Sequence, residues 1–264
     1  MTMFFEIIGH LLAVCVGLSL GLIGGGGSIL AVPVLINVMG VPIKSAIAMS
    51  LVIVGFVSLI GIIPHWKQGN VNFKIALLFS PGAMLGAYIG ARIATLPVVS
   101  PTLQLVLFIG MMLLAAYFMI RNSNHESAEQ LDLELSKDTP TRIPSWLAIP
   151  VEGLGVGIIT GLVGTGGGFM IIPALVLLGN IPIKQAIGTS LVIIVFKSIT
   201  GFLGYLGSIP VDINLMLTFT LAASAGMLLG AYLSQFIQAK QLEKGFGFFV
   251  IVVAIFMLMK WQLN

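Results

Sequence analysis

The chain has 264 residues, 58% hydrophobic and only 8% charged, with a mean hydropathy of +1.12, whereas roughly a quarter of a soluble domain is charged. That balance excludes a soluble globular enzyme, which needs polar residues to cover its surface, and a disordered chain, which needs charge in place of hydrophobicity. A net charge of +3 scattered between apolar runs excludes an electrostatic nucleic-acid surface, and one cysteine excludes an internal disulfide.

In chain order, apolar runs long enough to cross about 30 Å of hydrocarbon, which takes about 20 helical residues, are predicted near 4–23, 45–63, 73–93 and 100–120. Four more follow near 146–163, 186–206, 214–237 and 246–259. The chain goes from Met1 into the first run, with Glu6 inside it, no basic leader and no small-residue cleavage site, so it is expected to be a retained span. Cys15, inside this run, is expected as a small buried hydrophobe. Residues 121–145 hold five of the nine acidic residues together with Pro140 and Pro144, and read as a water-exposed linker. The expected organisation is a first membrane half over 1–120, the linker over 121–145, and a second half over 146–264. Trp66, Trp146 and Trp261 end apolar runs, where an indole anchors at the headgroup level.

Offset by 140 residues, Gly24–Ile53 aligns on Gly164–Ile193 with 14 identities in 30, a duplication. Gly24, Gly26, Gly27 and Pro33 match Gly164, Gly166, Gly167 and Pro173, and Pro42-Ile43-Lys44 matches Pro182-Ile183-Lys184. Farther on, Leu85-Gly86-Ala87-Tyr88 matches Leu229-Gly230-Ala231-Tyr232 at a slightly larger offset. After each glycine run comes a short segment, 28–39 and 169–179, too short to span as a helix alone. With four extended glycine-region residues it reaches roughly 30 Å and crosses as a broken span, or it re-enters on one side. Five crossings per half place eight lysines and arginines on the linker face and three on the other, and four per half give six against five. Since cytoplasmic ends are enriched in these residues, the preferred fold is all-α and polytopic: two inverted homologous halves, eight full spans and two short glycine-broken segments, termini outside, linker cytoplasmic.

The glycine runs are the strongest candidate for chemistry. Contiguous glycines are costly in a helix, and non-helical backbone at membrane depth is tolerated only where protein buries it or it lines a wet cavity. Each break frees N–H groups at the start of a half-helix, carrying the positive end of a dipole that suits an anion. The competing reading is tight helix packing, which uses small residues spaced by three or four rather than in a row. The expected substrate-binding set is Gly25, Gly26, Gly27, Ser28, Ser50, Thr165, Gly166, Gly167, Gly168, Thr189, Ser190 and Lys197. The hydroxyls among them suit anionic oxygens or, equally, their own helix backbone. Lys197 lies mid-span where its repeat counterpart is Val57, and an intramembrane cation marks a substrate path or a counter-ion pair by default. Glu152 is expected to pair with Lys197, to carry a coupling proton, or simply to end a helix. His10 is a proton-relay or structural residue, and Pro33 and Pro173 are expected to fix kinks.

The strings GGGGSILAVPVL and VPIKSAIAMSLVIV, with their second copies GTGGGFMIIPALVLL and IPIKQAIGTSLVII, resemble the repeated signature of the TauE/SafE sulfite exporter family over nearly the whole chain. The resemblance implies transport of sulfite, sulfonates or other small organosulfur anions across a bacterial inner membrane. The first copy carries Ala48-Met49-Ser50 where the second has Gly188-Thr189-Ser190, closer to the family pattern, so binding through that position is expected mainly from the second half.

The expected function is a secondary carrier of small anions working by alternating access at a midplane site, with an anion channel or a carrier of another small solute as the alternative. No GxxxxGK[ST] loop, HExxH or GxSxG occurs and the three histidines are scattered, so neither an enzyme, a cofactor nor a resident metal is expected. The expected partners are the substrate anion, the lipid bilayer and a proton or sodium as coupling ion. A homo-oligomer is compatible with the sequence.

Overall fold

The computed structural model describes residues 2–114, 116–117, 145–163, 168–177, 181–237 and 239–262. They form α1 (Thr2–Ile23), a 3-10 helix (Gly24–Leu30), α2 (Ala31–Asn37), α3 (Ile43–Lys67), α4 (Phe73–Thr95), α5 (Pro101–Leu114), α6 (Ser145–Val163), α7 (Gly168–Leu177), α8 (Ile183–Tyr205), α9 (Ile213–Leu233) and α10 (Ala239–Gln262). No strand occurs among the described residues. Four helices, α3, α4, α8 and α9, are both long and apolar enough to cross a membrane, and shorter apolar stretches lie in the others. Large apolar side chains such as Leu77, Leu221 and Val252 point outward from the bundle, which water would penalise and lipid does not. The chain is a multi-pass helical membrane protein. The predicted linker lies outside the described residues except for Ser145.

Local sequence sets the helix ends. Pro42 and Pro182 precede α3 and α8 with nearly the same extended geometry (φ −55°, ψ 143° and φ −56°, ψ 144°), since proline fixes φ and supplies no N–H that a helix start would leave unpaired. Asn72 and Asp212 cap α4 and α9, their side chains accepting from Ile75 N and Leu215 N at 3.2 and 3.0 Å.

α3 and α8 are the central helices: 61% and 67% of their apolar windows are buried, against 39% and 28% for α4 and α9. They cross antiparallel, with Gly55 beside Ser198, Gly61 beside Leu191 and Gly201 beside Leu51. Around them sit two parallel pairs that join the sequence halves. In one, Gly82, Gly86 and Gly90 of α4 pack on the backbone carbonyls of Pro150, Leu154 and Ile158 of α6. In the other, Gly226 and Gly230 of α9 pack on those of Val14 and Leu18 of α1. Without a hydrophobic drive between helices in lipid, close backbone approach through small residues supplies the packing.

The first short segment differs in detail from expectation. The 3-10 turn runs through Leu30, so α2 has only seven residues and Pro33 falls in its first turn. Seven 3-10 residues and seven α residues rise about 24 Å, and Met39 beyond them comes up against Gly9 near the start of α1. Cys15 is exposed on α1 rather than buried, because that helix offers only its glycine face to α9.

Candidate functional site

The two glycine regions meet. Gly24 adopts φ +66° with Ile187 of α8 packed on it, a conformation that a side chain would strain. The next residue, Gly25, lies backbone to backbone against Gly168 at the start of α7, leaving no room for a Cβ on either. The Gly25 N–H, which has no acceptor in its own turn, donates to Ser190 Oγ at 3.3 Å, and Ser190 Oγ donates to Ile187 O at 2.7 Å. Ser28 Oγ donates to Gly25 O at 2.7 Å. Gly25, Ser28, Gly168 and Ser190 thus form one buried cluster where the breaks cross α8. Gly26 and Gly27 lie within the 3-10 turn, whereas Thr165, Gly166 and Gly167 lie outside the described residues.

Ser50, the repeat counterpart of Ser190, is buried in α3 and donates to Ile47 O at 2.7 Å. Thr189 faces elsewhere: its Oγ1 accepts from Asn72 N at 2.9 Å, so it ties the α3–α4 turn to α8 rather than lining the glycine crossing. Gly188 permits this, since a Cβ there would meet Asn70 O.

Lys197 is 1% exposed, and among the described residues its hydrogen-bond partner is Thr160 of α6, whose Oγ1 accepts from Nζ at 3.0 Å. Thr160 Oγ1 in turn donates to Gly157 O at 3.2 Å. Ser190, Ile194, Lys197 and Gly201 recur at helical spacing and share one stripe of α8. Ile194 touches Gly25, so Lys197 stands one turn beyond the glycine crossing. Beside it, Ser198 and its repeat counterpart Ser58 are both buried, with hydroxyls that find no hydrogen-bond partner among the described residues. An unpaired polar group at this depth costs free energy unless something transient satisfies it.

Glu152 is only partly buried near the start of α6, eight residues from Thr160, a rise of about 12 Å, and no ion pair joins it to Lys197 among the described residues. His10 is partly buried on α1, far along that helix from the glycine crossing. No cluster of three metal-binding side chains occurs among the described residues.

Sequence reasoning missed two features. His65, buried at the end of α3, bonds Gly21 O through Nε2 at 3.1 Å. At the corresponding place Tyr205 donates to Gly161 O at 2.9 Å. Both pairs obey the 140-residue offset, which was the available signal. The glycine rows of α4, α6 and α9, spaced by four, carry their packing role openly, but only Gly86 and Gly230 enter the sequence reading, as part of the duplication.

The family described as sulfite exporter TauE/SafE matches residues 10–257. The chain belongs to this family. A "Probable membrane transporter protein" of Xylella fastidiosa (strain 9a5c) is 33% identical over 249 residues, covering 92% of this chain and 91% of that protein. YdhB of Bacillus subtilis, named likewise, is 26% identical over 216 residues, covering 81% and 84%. A relative of that name in Haemophilus influenzae is 26% identical over 277 residues, covering 97% and 99%. No solved structure matches. This family member is accordingly a membrane transporter.

Proposed function

We propose that the chain is a secondary carrier of small organosulfur anions, sulfite and sulfonates above all, which bind near the bilayer midplane where the glycine breaks cross and are exposed to each side in turn. The observation that carries the reading is the crossing of Gly25 and Gly168 beside Ser190, with the buried Lys197 on the same stripe of α8. Backbone that leaves its helix at depth, next to a buried cation and two partnerless hydroxyls, is arranged for a polar solute and wasteful for anything else. The substrate class rests on the family description.

Two inverted repeats are the architecture we assign. Their equivalent helices α3 and α8 cross antiparallel, and the pairs α4–α6 and α1–α9 repeat one interface with the halves exchanged. The contact between Met39 and Gly9 supports a glycine-led segment that crosses rather than re-enters. Five crossings per half then put both termini outside and the lysine-rich linker face in the cytoplasm. Opposed half-helices with dipole ends at one depth suit a carrier that rocks its halves around a fixed site. Proton or sodium coupling is carried by groups such as Glu152 or His10, and no catalytic role is assigned.

The test is uptake of radiolabelled sulfite, thiosulfate and ethanesulfonate into proteoliposomes under imposed proton or sodium gradients. Saturable uptake of at least one supports the reading. Uptake of none sinks the organosulfur assignment.

A further inference from the structure

Away from the midplane, a cavity of about 340 Å³ opens where α1, α3 and α9 end and α8 begins, lined by His65, Gln68, Asn70, Lys184, Ser234 and Gln235 among others. All four helix ends lie on the face of the bundle to which α3 and α9 run, which is the linker face of the proposed topology. Among the described residues the lining contains a lysine and no carboxylate. Helix carboxyl ends ordinarily favour cations, but here the carbonyls are occupied: Gly21 O by His65, and Ala231 O by Gln68 Nε2 at 3.3 Å and Ser234 Oγ at 2.8 Å. The first turn of α8 contributes N–H groups without helical acceptors, with Lys184 in that turn. His65 is 2% exposed and its Nδ1 has no hydrogen-bond partner among the described residues. The wall then continues inward through Ile187, which packs on Gly24 and accepts from Ser190, so the cavity floor abuts the glycine crossing.

The opposite end differs at several positions: Tyr205, Ser208 and Pro210 stand where His65, Gln68 and Asn70 do, and Gly90 and Ala91 stand where Ser234 and Gln235 do. Where His65 lines the cavity, its counterpart Tyr205 is buried, its hydroxyl bonded to the carbonyls of Gly161 and Leu162 at 2.9 and 3.4 Å. The lysine is matched, Lys44 against Lys184.

The geometry points to this cavity as the linker-side binding vestibule for a small oxyanion, with Lys184 and the α8 amino end holding its charge and His65 forming its floor. The inference rests on the carrier reading for its role, but anion binding there is measurable without transport.

The experiment uses the full chain in proteoliposomes with Cys15→Ala and Gln235→Cys, labelled by a membrane-impermeant maleimide with ethanesulfonate as the probe anion. At ten times its half-protecting concentration, ethanesulfonate is expected to slow labelling about tenfold. Lys184→Gln should raise the half-protecting concentration about tenfold, as loss of one charge-assisted hydrogen bond does, and Lys44→Gln should leave it unchanged. His65→Tyr, which puts a bulkier ring into the cavity wall, should slow labelling without any anion. Protection that is absent in a protein that still takes up ethanesulfonate overturns the vestibule and leaves the carrier standing. Equal loss of protection in Lys184→Gln and Lys44→Gln also overturns it. Protection without uptake of any anion upholds the vestibule and removes the carrier reading instead.

Discussion

Replacing Lys197 by methionine separates a functional from a structural lysine, because the surrounding hydrogen bonds make opposite demands on stability. Lys197 Nζ reaches Thr160 Oγ1 at 3.0 Å, and that hydroxyl keeps a second bond to Gly157 O. Lys197→Met therefore leaves Thr160 satisfied and removes a buried cation with its desolvation penalty, so the replacement is expected to be neutral or stabilising. Thr160→Val does the reverse. It strands Nζ, buried, without its partner among the described residues, at a cost of about 1–3 kcal/mol. With about 2–4 °C of melting temperature per kcal/mol in a chain of this size, Thr160→Val should melt several degrees lower in detergent, while Lys197→Met melts at or above the wild-type temperature. Proteoliposomes with Lys197→Met should nonetheless lose saturable anion uptake. A Lys197→Met protein that melts as low as Thr160→Val, yet takes up anions normally, refutes the reasoning and makes the lysine structural.

Gly86→Ala should lower stability by about 1–3 kcal/mol through overpacking against the Leu154 carbonyl, and Gly110→Ala, where a Cβ meets nothing within 4 Å, should not; thermal melts in detergent compare them. Gly25→Ala presses on the backbone of Gly168 and is expected to abolish uptake, with size-exclusion profiles reporting whether the bundle survives. Reporter fusions check orientation: a fluorescent protein within the 121–145 segment should mature in the cytoplasm, and alkaline phosphatase at the C-terminus should be active outside. The opposite pattern reverses the proposed topology.

The helical membrane class was legible because hydropathy over long windows is nearly independent of tertiary detail. Gly25, Ser190 and Lys197 were legible for a related reason: contiguous glycines and a mid-span cation are expensive enough to need explaining wherever they pack. What periodicity does not encode is who meets whom. Thr160, an ordinary hydroxyl in an apolar run, became the partner of Lys197 only because α4 holds α6 against α8. Thr189 sits one residue from Ser190, yet the helical turn aims it at Asn72 instead of the glycine crossing. Pro33 is expected within a half-helix over 28–39, and the 3-10 turn places it instead in the first turn of α2. Cys15 looked buried because an apolar run in lipid does not distinguish core from perimeter.

The most direct test of alternating access at the glycine crossing is counterflow. Proteoliposomes preloaded with unlabelled ethanesulfonate or sulfite are diluted into labelled anion, and the initial influx is compared with that into empty vesicles. A carrier predicts influx that saturates with concentration, is accelerated by internal anion, and vanishes in Lys197→Met. Influx that rises linearly with concentration and ignores the internal anion contradicts the account and makes the pathway a channel.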